Sequence, residues 1–231
     1  MIEALDEAGV HLDLAVRTAL STHVRLMLAW NEAINLTAII DPAAIAHRHV
    51  ADSLAAVPVL RDGPSERVLD IGSGAGFPGL PLALAHPWQV TLADSVGKKT
   101  AFLRAAAAAM DLQDRVSVRN ARAETLERGA WDIVTARAVG SVADLVEIGL
   151  PLLRPGGRLV VWKRGDLADE FAGAGRAARA LGGSDPRWHP HPEAVTRAAD
   201  LGGYGVVVVA RVGTPPTDYP RDPATRKRRP W

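Results

Sequence analysis

The chain has 231 residues, 48% of them hydrophobic and 23% charged, with a formal net charge of +1. This is enough apolar material for one sizeable core with extensions, and it excludes an intrinsically disordered chain. There is no cysteine, which excludes a disulfide framework, a thiolate metal site and a cysteine nucleophile, and the near-neutral balance does not by itself announce a nucleic-acid partner.

The N-terminus, MIEALDEAGV, is acidic and unlike a signal peptide, and no apolar run is long enough to span a bilayer. Residues 1 to about 60 read as helical. Val16, Leu20, Val24 and Met27 recur at helical spacing, and the mixed stretch Trp30-Asn31-Glu32-Ala33-Ile34-Asn35-Leu36-Thr37 reads as a loop. Asp41-Pro42 fits an N-cap followed by proline at the first helical position, opening a second helix through His49 and Leu54. Gly63-Pro64 breaks the chain before the first strand.

From residue 66 strands and helices alternate. Strands are expected at Val68–Ile71, Val90–Ala93, Val116–Val118, Ile133–Thr135, Leu159–Trp162 and Val206–Val212, with helices such as Lys98–Met110 and Val142–Leu153 between them. This pattern argues for a doubly wound α/β sheet covered on both faces, with ligands at the ends of strands one to four. Arg154-Pro155-Gly156-Gly157-Arg158 reads as a scaffold turn. Residues 166–203 are the least informative, an Ala/Gly-rich helix followed by Trp188-His189-Pro190-His191-Pro192, in which both histidines read as solvated loop residues. After Pro215 the chain is rich in proline and arginine.

The first strand ends at Asp70 and opens into Gly72-Ser73-Gly74-Ala75-Gly76-Phe77-Pro78-Gly79, and Leu80-Pro81-Leu82-Ala83-Leu84 begins a helix. Glycine lets a backbone turn tightly and approach a ligand, and the N–H groups at the helix start face it. A dinucleotide fingerprint would be G-x-G-x-x-G. Here the third glycine comes one residue early, with an acid before the loop, an arrangement common in enzymes that use S-adenosylmethionine. The alternative is a glycine-rich structural turn.

Asp94 ends the second strand, where a carboxylate can accept hydrogen bonds from ribose hydroxyls; it could also cap a helix. Ala123-Glu124 follows the third strand, where an adenine would lie, and Glu124 could equally be a surface acid. Arg137, just past the fourth strand, is the candidate catalytic residue: its planar fork could hold a phosphate or carboxylate, or form a structural ion pair. Lys163 and Arg164 end the fifth strand on the same edge and are candidate phosphate contacts. His49 and Asp52, three apart on one helix face, could serve substrate, a metal, acid–base chemistry or a plain hydrogen bond; two residues do not make a metal site. Arg221, Arg226, Lys227, Arg228 and Arg229 form a basic C-terminal cluster suited to RNA phosphates, or a merely solvated end. The loop after the fourth strand, Arg137-Ala138-Val139-Gly140, lacks the Asn/Asp-Pro-Pro-aromatic pattern used to methylate exocyclic amines. With no cysteine for pyrimidine carbon, an acceptor atom with its own lone pair is favoured.

The blocks WNEAINLT, RHVADSL, VLDIGSGAGFPGLPLA, LADSVGKKTAFL, the AE pair, WDIVTARAVGSVADL and PLLRPGGRLVVWKRG make the chain resemble the small-subunit ribosomal RNA methyltransferase G family, from about residue 25 to Tyr219–Arg221. The resemblance implies methyl transfer from S-adenosylmethionine to N7 of one guanosine, guanine 527, of 16S rRNA. By matching position it implies cofactor-site roles for Gly72, Phe77, Ala123, Glu124 and Arg137, to which the residue-level reading adds Asp70, Gly74, Gly76 and Asp94. The expected fold is α/β, a class I S-adenosylmethionine-dependent methyltransferase. Its sheet would be Rossmann-like and doubly wound, with six parallel strands and one antiparallel, plus an N-terminal helical extension. Three parts are expected: a helical cap over 1–63, the cofactor-binding domain over 64–213 and a basic tail over 214–231. The expected partner is 16S rRNA or the small ribosomal subunit, for a cytoplasmic monomer with no membrane and no metal. Rival readings are a small-molecule or protein methyltransferase on the same scaffold, a non-catalytic ribosome- or RNA-binding module and, third, a dehydrogenase.

Overall fold

Short runs of Val, Ile and Leu alternate with Ala- and Leu-rich stretches from residue 67 onward, and the computed structural model pairs the former into one seven-stranded sheet. It describes residues 1–60, 66–138 and 140–231; the Gly63-Pro64 break, the boundary between the expected cap and domain, and Val139 lie outside the described residues. The strands are β1 (Arg67–Ile71), β2 (Gln89–Asp94), β3 (Val116–Asn120), β4 (Trp131–Arg137), β5 (Leu153–Arg164), β6 (Arg187–Pro190) and β7 (Tyr204–Ala210). Their order across the sheet is β3-β2-β1-β4-β5-β7-β6. β1 to β5 pair in parallel, and β7 runs antiparallel to both its neighbours. Six strands thus point one way and one the other, as the sequence implied. The order reverses between β1 and β4, which opens a crevice at the carboxyl ends of these strands.

Successive residues of a strand face opposite sides of the sheet, and the core divides accordingly. Val68, Val90 and Val160 pack on one face with Leu5, Met27, Leu54 and Phe102, so the N-terminal helices share a core with the sheet. Leu69, Val134 and Val161 pack on the other with Leu145, Leu150, Ala174 and Ala177.

The long N-terminal helix Leu14–Asn31 starts where Asp13 accepts a hydrogen bond from Val16 N. It buries Leu20, His23 and Met27, a face turned slightly from the expected one; Val16 and Val24 lie half-buried on its flank. Trp30 and Asn31, expected in the loop, are its last two residues. The Asn31 side chain then organises the loop, accepting from Leu36 N (2.8 Å) and Thr37 N (3.0 Å) and donating to Thr37 O (3.1 Å).

Asp41 caps the second helical segment through Ala44 N. It runs as α-helix over Pro42–Ile45, widens to a π-helix over Ala46–Ala51 and returns to α-helix over Asp52–Ala55. Such π insertions frequently mark functional sites. Residues 166–203 contribute the helix Ala168–Ala180, strand β6 and the helix Glu193–Ala199. The stretch containing Trp188 and His189 is therefore an edge strand, where a solvated loop was expected; it pairs with β7 from Arg187 to Pro190. The turn at Arg154–Arg158 lies within β5, where the pairing register with β4 shifts.

Candidate active site

Loop ends from β1 to β5 enclose a cavity of about 870 Å³, within the roughly 300–1,000 Å³ usual for small-molecule sites. Gly72, Gly74 and Phe77 form its floor, Asp94, Ala123 and Glu124 one wall, and His49, Asp52, Arg137, Lys163 and Arg164 the other side. Gly72 and Gly74 turn with φ of +67° and +52°. A Cβ on Gly74 would meet nothing closer than Gly72 O, at 3.8 Å, so it would project into the open cavity. That is the cradle a nucleoside needs.

At the β2 end Asp94 engages its carboxylate with the backbone, accepting from Val96 N (Oδ1, 2.8 Å) and Gly74 N (Oδ2, 3.0 Å). The acid is therefore a cap and a cavity-lining group at once, fixed in direction while keeping lone pairs for hydroxyl donors. Asp70 is placed differently from the cofactor contact expected of it. It is fully buried beneath the loop, outside the cavity wall, and accepts from Thr135 Oγ1 at 2.8 Å. Burial raises its pKa to about 6, against the opposing hydrogen bonds from Thr135 and Ser73 and the charge of Arg137. Gly76 also lies outside the cavity wall. A Cβ there would strike Leu80 Cδ1 at 2.5 Å and approach His23 Nε2 to 3.2 Å; this glycine serves packing.

His23 was not among the expected site residues. It is completely buried, and its Nε2 donates to Ala75 O at 2.7 Å, tying the N-terminal helix to the glycine loop. Its spacing from Leu20 and Met27 was the available signal: a polar residue on the buried helix face. Burial lowers its pKa to about 4, helped by the neighbouring His49 and the charge of Arg137. The His23 ring stacks on Phe77 with centroids 4.5 Å apart, His49 stacks on Phe77 at 5.0 Å, and the Arg137 guanidinium lies 5.2 Å from the same ring centre.

Arg137 is the last residue of β4 and the hub of this end. It donates through Nη1 to Asp52 Oδ2 (3.1 Å) and Arg48 O (3.2 Å), and through Nη2 to His49 Nδ1 (3.2 Å). His49 Nδ1 thus lies between the Arg137 guanidinium and the Arg48 carbonyl (3.1 Å), and its Nε2 lies 2.9 Å from Thr37 Oγ1, so both ring nitrogens are engaged. Burial, and then the Arg137 charge, holds His49 at a pKa of about 4. The second Asp52 oxygen accepts from His191 Nε2 at 2.8 Å. His191 is therefore no solvated loop histidine: its side chain is 1% exposed. The ion-pair alternative for Arg137 is thus realised by Asp52, whose two oxygens accept from Arg137 and His191. Among the described residues no group of three or more His, Cys, Asp or Glu gathers in a way that could hold a metal ion.

The expected phosphate contacts divide. Lys163 Nζ is held by Glu170 (2.8 and 3.0 Å) and Gly140 O (3.0 Å). Arg164 is exposed beside the Tyr204 ring, donating to its hydroxyl at 3.1 Å. In the C-terminal cluster Lys227, Arg228 and Arg229 are exposed. Arg221 and Arg226 point inward and are not free for RNA: Arg221 grips the fully buried Glu147, and Arg226 lines the cavity and pairs with Glu124. Burial pushes the Glu124 carboxyl up, but the Arg226 hydrogen bond and charge, with Arg122, hold it below the usual range. Glu147, which the sequence reading passed over, is held low in the same sense by Arg221 and Trp231, against its burial.

The parallel order with one antiparallel strand, a glycine cradle after β1, a capped acid ending β2 and a cavity across the β1/β4 switch point define a class I S-adenosylmethionine-dependent methyltransferase. Solved structures agree on the fold. The T. thermophilus 16S rRNA N2 G1207 methyltransferase RsmC, in complex with AdoMet and guanosine, aligns with a TM-score of 0.50 at 20% identity, covering 72% of this chain and 40% of that one. The S-adenosylmethionine-dependent methyltransferase SibL aligns at 0.52 and 20% identity, covering 85% and 76%. Residues 17–189 match the rRNA small subunit methyltransferase G family. A relative named ribosomal RNA small subunit methyltransferase G from Roseiflexus castenholzii is 42% identical over 96% of this chain and 94% of its own length. One of the same name from Staphylococcus aureus is 34% identical over 100% and 96%. The chain belongs to the rRNA small subunit methyltransferase G family.

Proposed function

We propose that the protein methylates N7 of a single guanine, guanine 527 by family resemblance, in 16S rRNA of the small ribosomal subunit. S-adenosylmethionine, when bound, supplies the methyl group on a positively charged sulfur. One observation supports the choice of acceptor. Among the described residues lining the cavity, every imidazole and carboxylate is already engaged. His49 lies between Arg137 and Thr37, Asp52 between Arg137 and His191, Asp94 holds two backbone N–H groups, and Glu124 holds Arg226. No unpaired imidazole or carboxylate among these residues is left at the Arg137 end of the cavity, which favours an acceptor that brings its own lone pair and carries no proton to remove. Guanine N7 meets that condition.

The chain's residues then act by position and charge. His49 and Arg137, packed on Phe77, shape the transfer end. Asp52 compensates Arg137, so a cationic ligand is not repelled. Basic side chains outnumber acids on the cavity wall (Arg48, Lys99, Arg122, Arg137, Lys163, Arg164 and Arg226 against Asp52, Asp94 and Glu124) although the whole chain is nearly neutral. Such a local excess favours a phosphate backbone. In this reading the protein acts as a monomer in the cytoplasm on rRNA or the assembled subunit. Among the described residues no helix is long and apolar enough to cross a membrane. The division into a helical cap over 1–63, a cofactor-binding domain over 64–213 and a basic segment over 214–231 is one of function, since the cap and sheet share a core.

N7-methylguanosine carries a fixed charge, so borohydride reduction followed by aniline cleaves the chain at the modified base. RNA from cells with and without the protein, treated this way and mapped by primer extension, should show one protein-dependent break in small-subunit rRNA. No such break, or a methyl group on an exocyclic amine or ribose, would refute the assignment.

A further inference from the structure

The C-terminal segment looks like a uniformly basic end, yet the structure sorts its residues. Lys227, Arg228 and Arg229 face solvent, whereas the Arg226 side chain is 10% exposed and donates to Glu124 Oε1 at 2.5 Å. The helix that carries it, Pro223–Arg228, is capped by Asp222 through Thr225 N. What holds this short helix against the domain is Arg221. Its backbone N–H, Nε and Nη2 reach the two oxygens of Glu147 at 2.6–3.1 Å, and Glu147, fully buried, also accepts from Trp231 Nε1 at 2.6 Å. Arg226 Nη1 donates to Arg221 O at 2.7 Å, so the two arginines form one tether from the buried carboxylate to the cavity. Glu124 lies on the cavity wall after β3, on the side of Asp94 and away from Arg137.

We propose that Arg226 is a positioning residue of the cofactor site: anchored through Arg221 and Glu147, it holds the Glu124 carboxylate in one orientation on the wall that receives the adenosyl half of the ligand. A part-exposed glutamate would otherwise sample several rotamers, and fixing it beforehand removes an ordering cost from binding. The C-terminal segment thereby becomes part of the cofactor cavity, distinct from any RNA contact made by its exposed neighbours.

The inference rests on the S-adenosylmethionine reading of the cavity and not on the RNA substrate, so it is tested without RNA. Full-length protein and the variants Arg226→Ala, Arg226→Lys, Glu124→Gln and Arg226→Ala/Glu124→Gln are titrated calorimetrically with S-adenosylmethionine and with S-adenosylhomocysteine, and the unliganded proteins are melted by circular dichroism. Failure of the parent to bind either ligand would sink the cofactor reading itself. With the parent binding, Arg226→Ala is expected to weaken both ligands about tenfold. Arg226→Lys should recover most of that loss, and the double variant should bind no worse than Glu124→Gln alone. Parent-like affinity in Arg226→Ala overturns the proposal. So do additive losses in the double variant, or a loss seen with S-adenosylmethionine only, which would place the effect at the sulfur. Should Arg226→Ala not fold, Arg226→Gln, which keeps part of the stem but neither the charge nor the reach to Glu124, decides: a tenfold loss supports the role and unchanged affinity removes it.

Discussion

A Cβ built on Gly74 clears its nearest neighbour by 3.8 Å, while one on Gly76 would lie 2.5 Å from Leu80 Cδ1 in a backbone with φ of +87°. Replacing two glycines of the same turn should therefore have different consequences. Gly74→Ala keeps the fold, at about 1–2 kcal/mol for a left-handed residue with a side chain, but places a methyl group in the cradle. Gly76→Ala adds overpacking against Leu80 and His23 to that backbone strain, roughly 1–3 kcal/mol more. Urea denaturation should show Gly76→Ala as the less stable protein. Calorimetry should show Gly74→Ala folded with weakened S-adenosylmethionine binding. Equal affinity in Gly74→Ala and the parent would mean that the ligand does not approach this backbone.

At the scale of elements, the C-terminal segment makes the sharpest prediction. If it were only a basic tail, truncation after Thr217 would weaken RNA binding and leave the rest intact. The structure puts Arg221 and Trp231 on a carboxylate with no exposed surface. Truncation removes both partners of Glu147 together with the Tyr219 and Trp231 rings that pack on the core, at roughly 1.5–3 kcal/mol for the charged hydrogen bonds alone. The truncated chain should therefore unfold at markedly lower denaturant. The charge-neutral variant Lys227→Gln/Arg228→Gln/Arg229→Gln should keep parental stability and lose only salt-dependent RNA affinity. Its log–log salt slope should fall by about 0.7–0.9 for every phosphate that these side chains neutralise in the parent. A truncation as stable as the parent would contradict the anchoring role of Glu147, and an unchanged slope in the triple variant would leave those three side chains merely solvated.

For the molecule as a whole, buried titratable groups set the response to acid. His23 and His49 have folded pKa values of about 4, below the ordinary 6.5. Between those values the unfolded chain binds more protons than the native one, so stability falls as pH drops from about 6.5 toward 4. Asp70 acts in the opposite sense. Its folded pKa is raised to about 6 from 3.8, so between these values the native state binds the extra proton and gains relative stability in acid. Two histidines outweigh one aspartate, and a net loss is expected across this window. Asp70→Asn removes the opposing contribution, so its stability should decline more steeply with acid than that of the parent. Denaturant midpoints at half-unit pH steps from 7 to 4 would show this; a shallower slope in Asp70→Asn would overturn the account.

The architecture and half of the site could be read from the sequence because both rest on local signals. Apolar periodicity reports strands and helices wherever they pack. Gly72, Gly74, Asp94 and Arg137 are legible because they follow the ends of strands that this periodicity locates, and strand ends are where a doubly wound sheet gathers its ligand. The tertiary structure alone decided which way side chains turn and whom they meet. Asp94 ends β2, whereas Asp70 is the last residue but one of β1 and its carboxylate turns under the loop to Thr135. His23 finds its carbonyl 52 residues away and His191 its carboxylate 139 away. Arg226 and Lys227 are neighbours in one basic run, and only the fold brings the first to Glu124, 102 residues distant. A charge in a sequence is defined by its residue type, but its work depends on distance and burial, and these exist only once the chain has closed on itself.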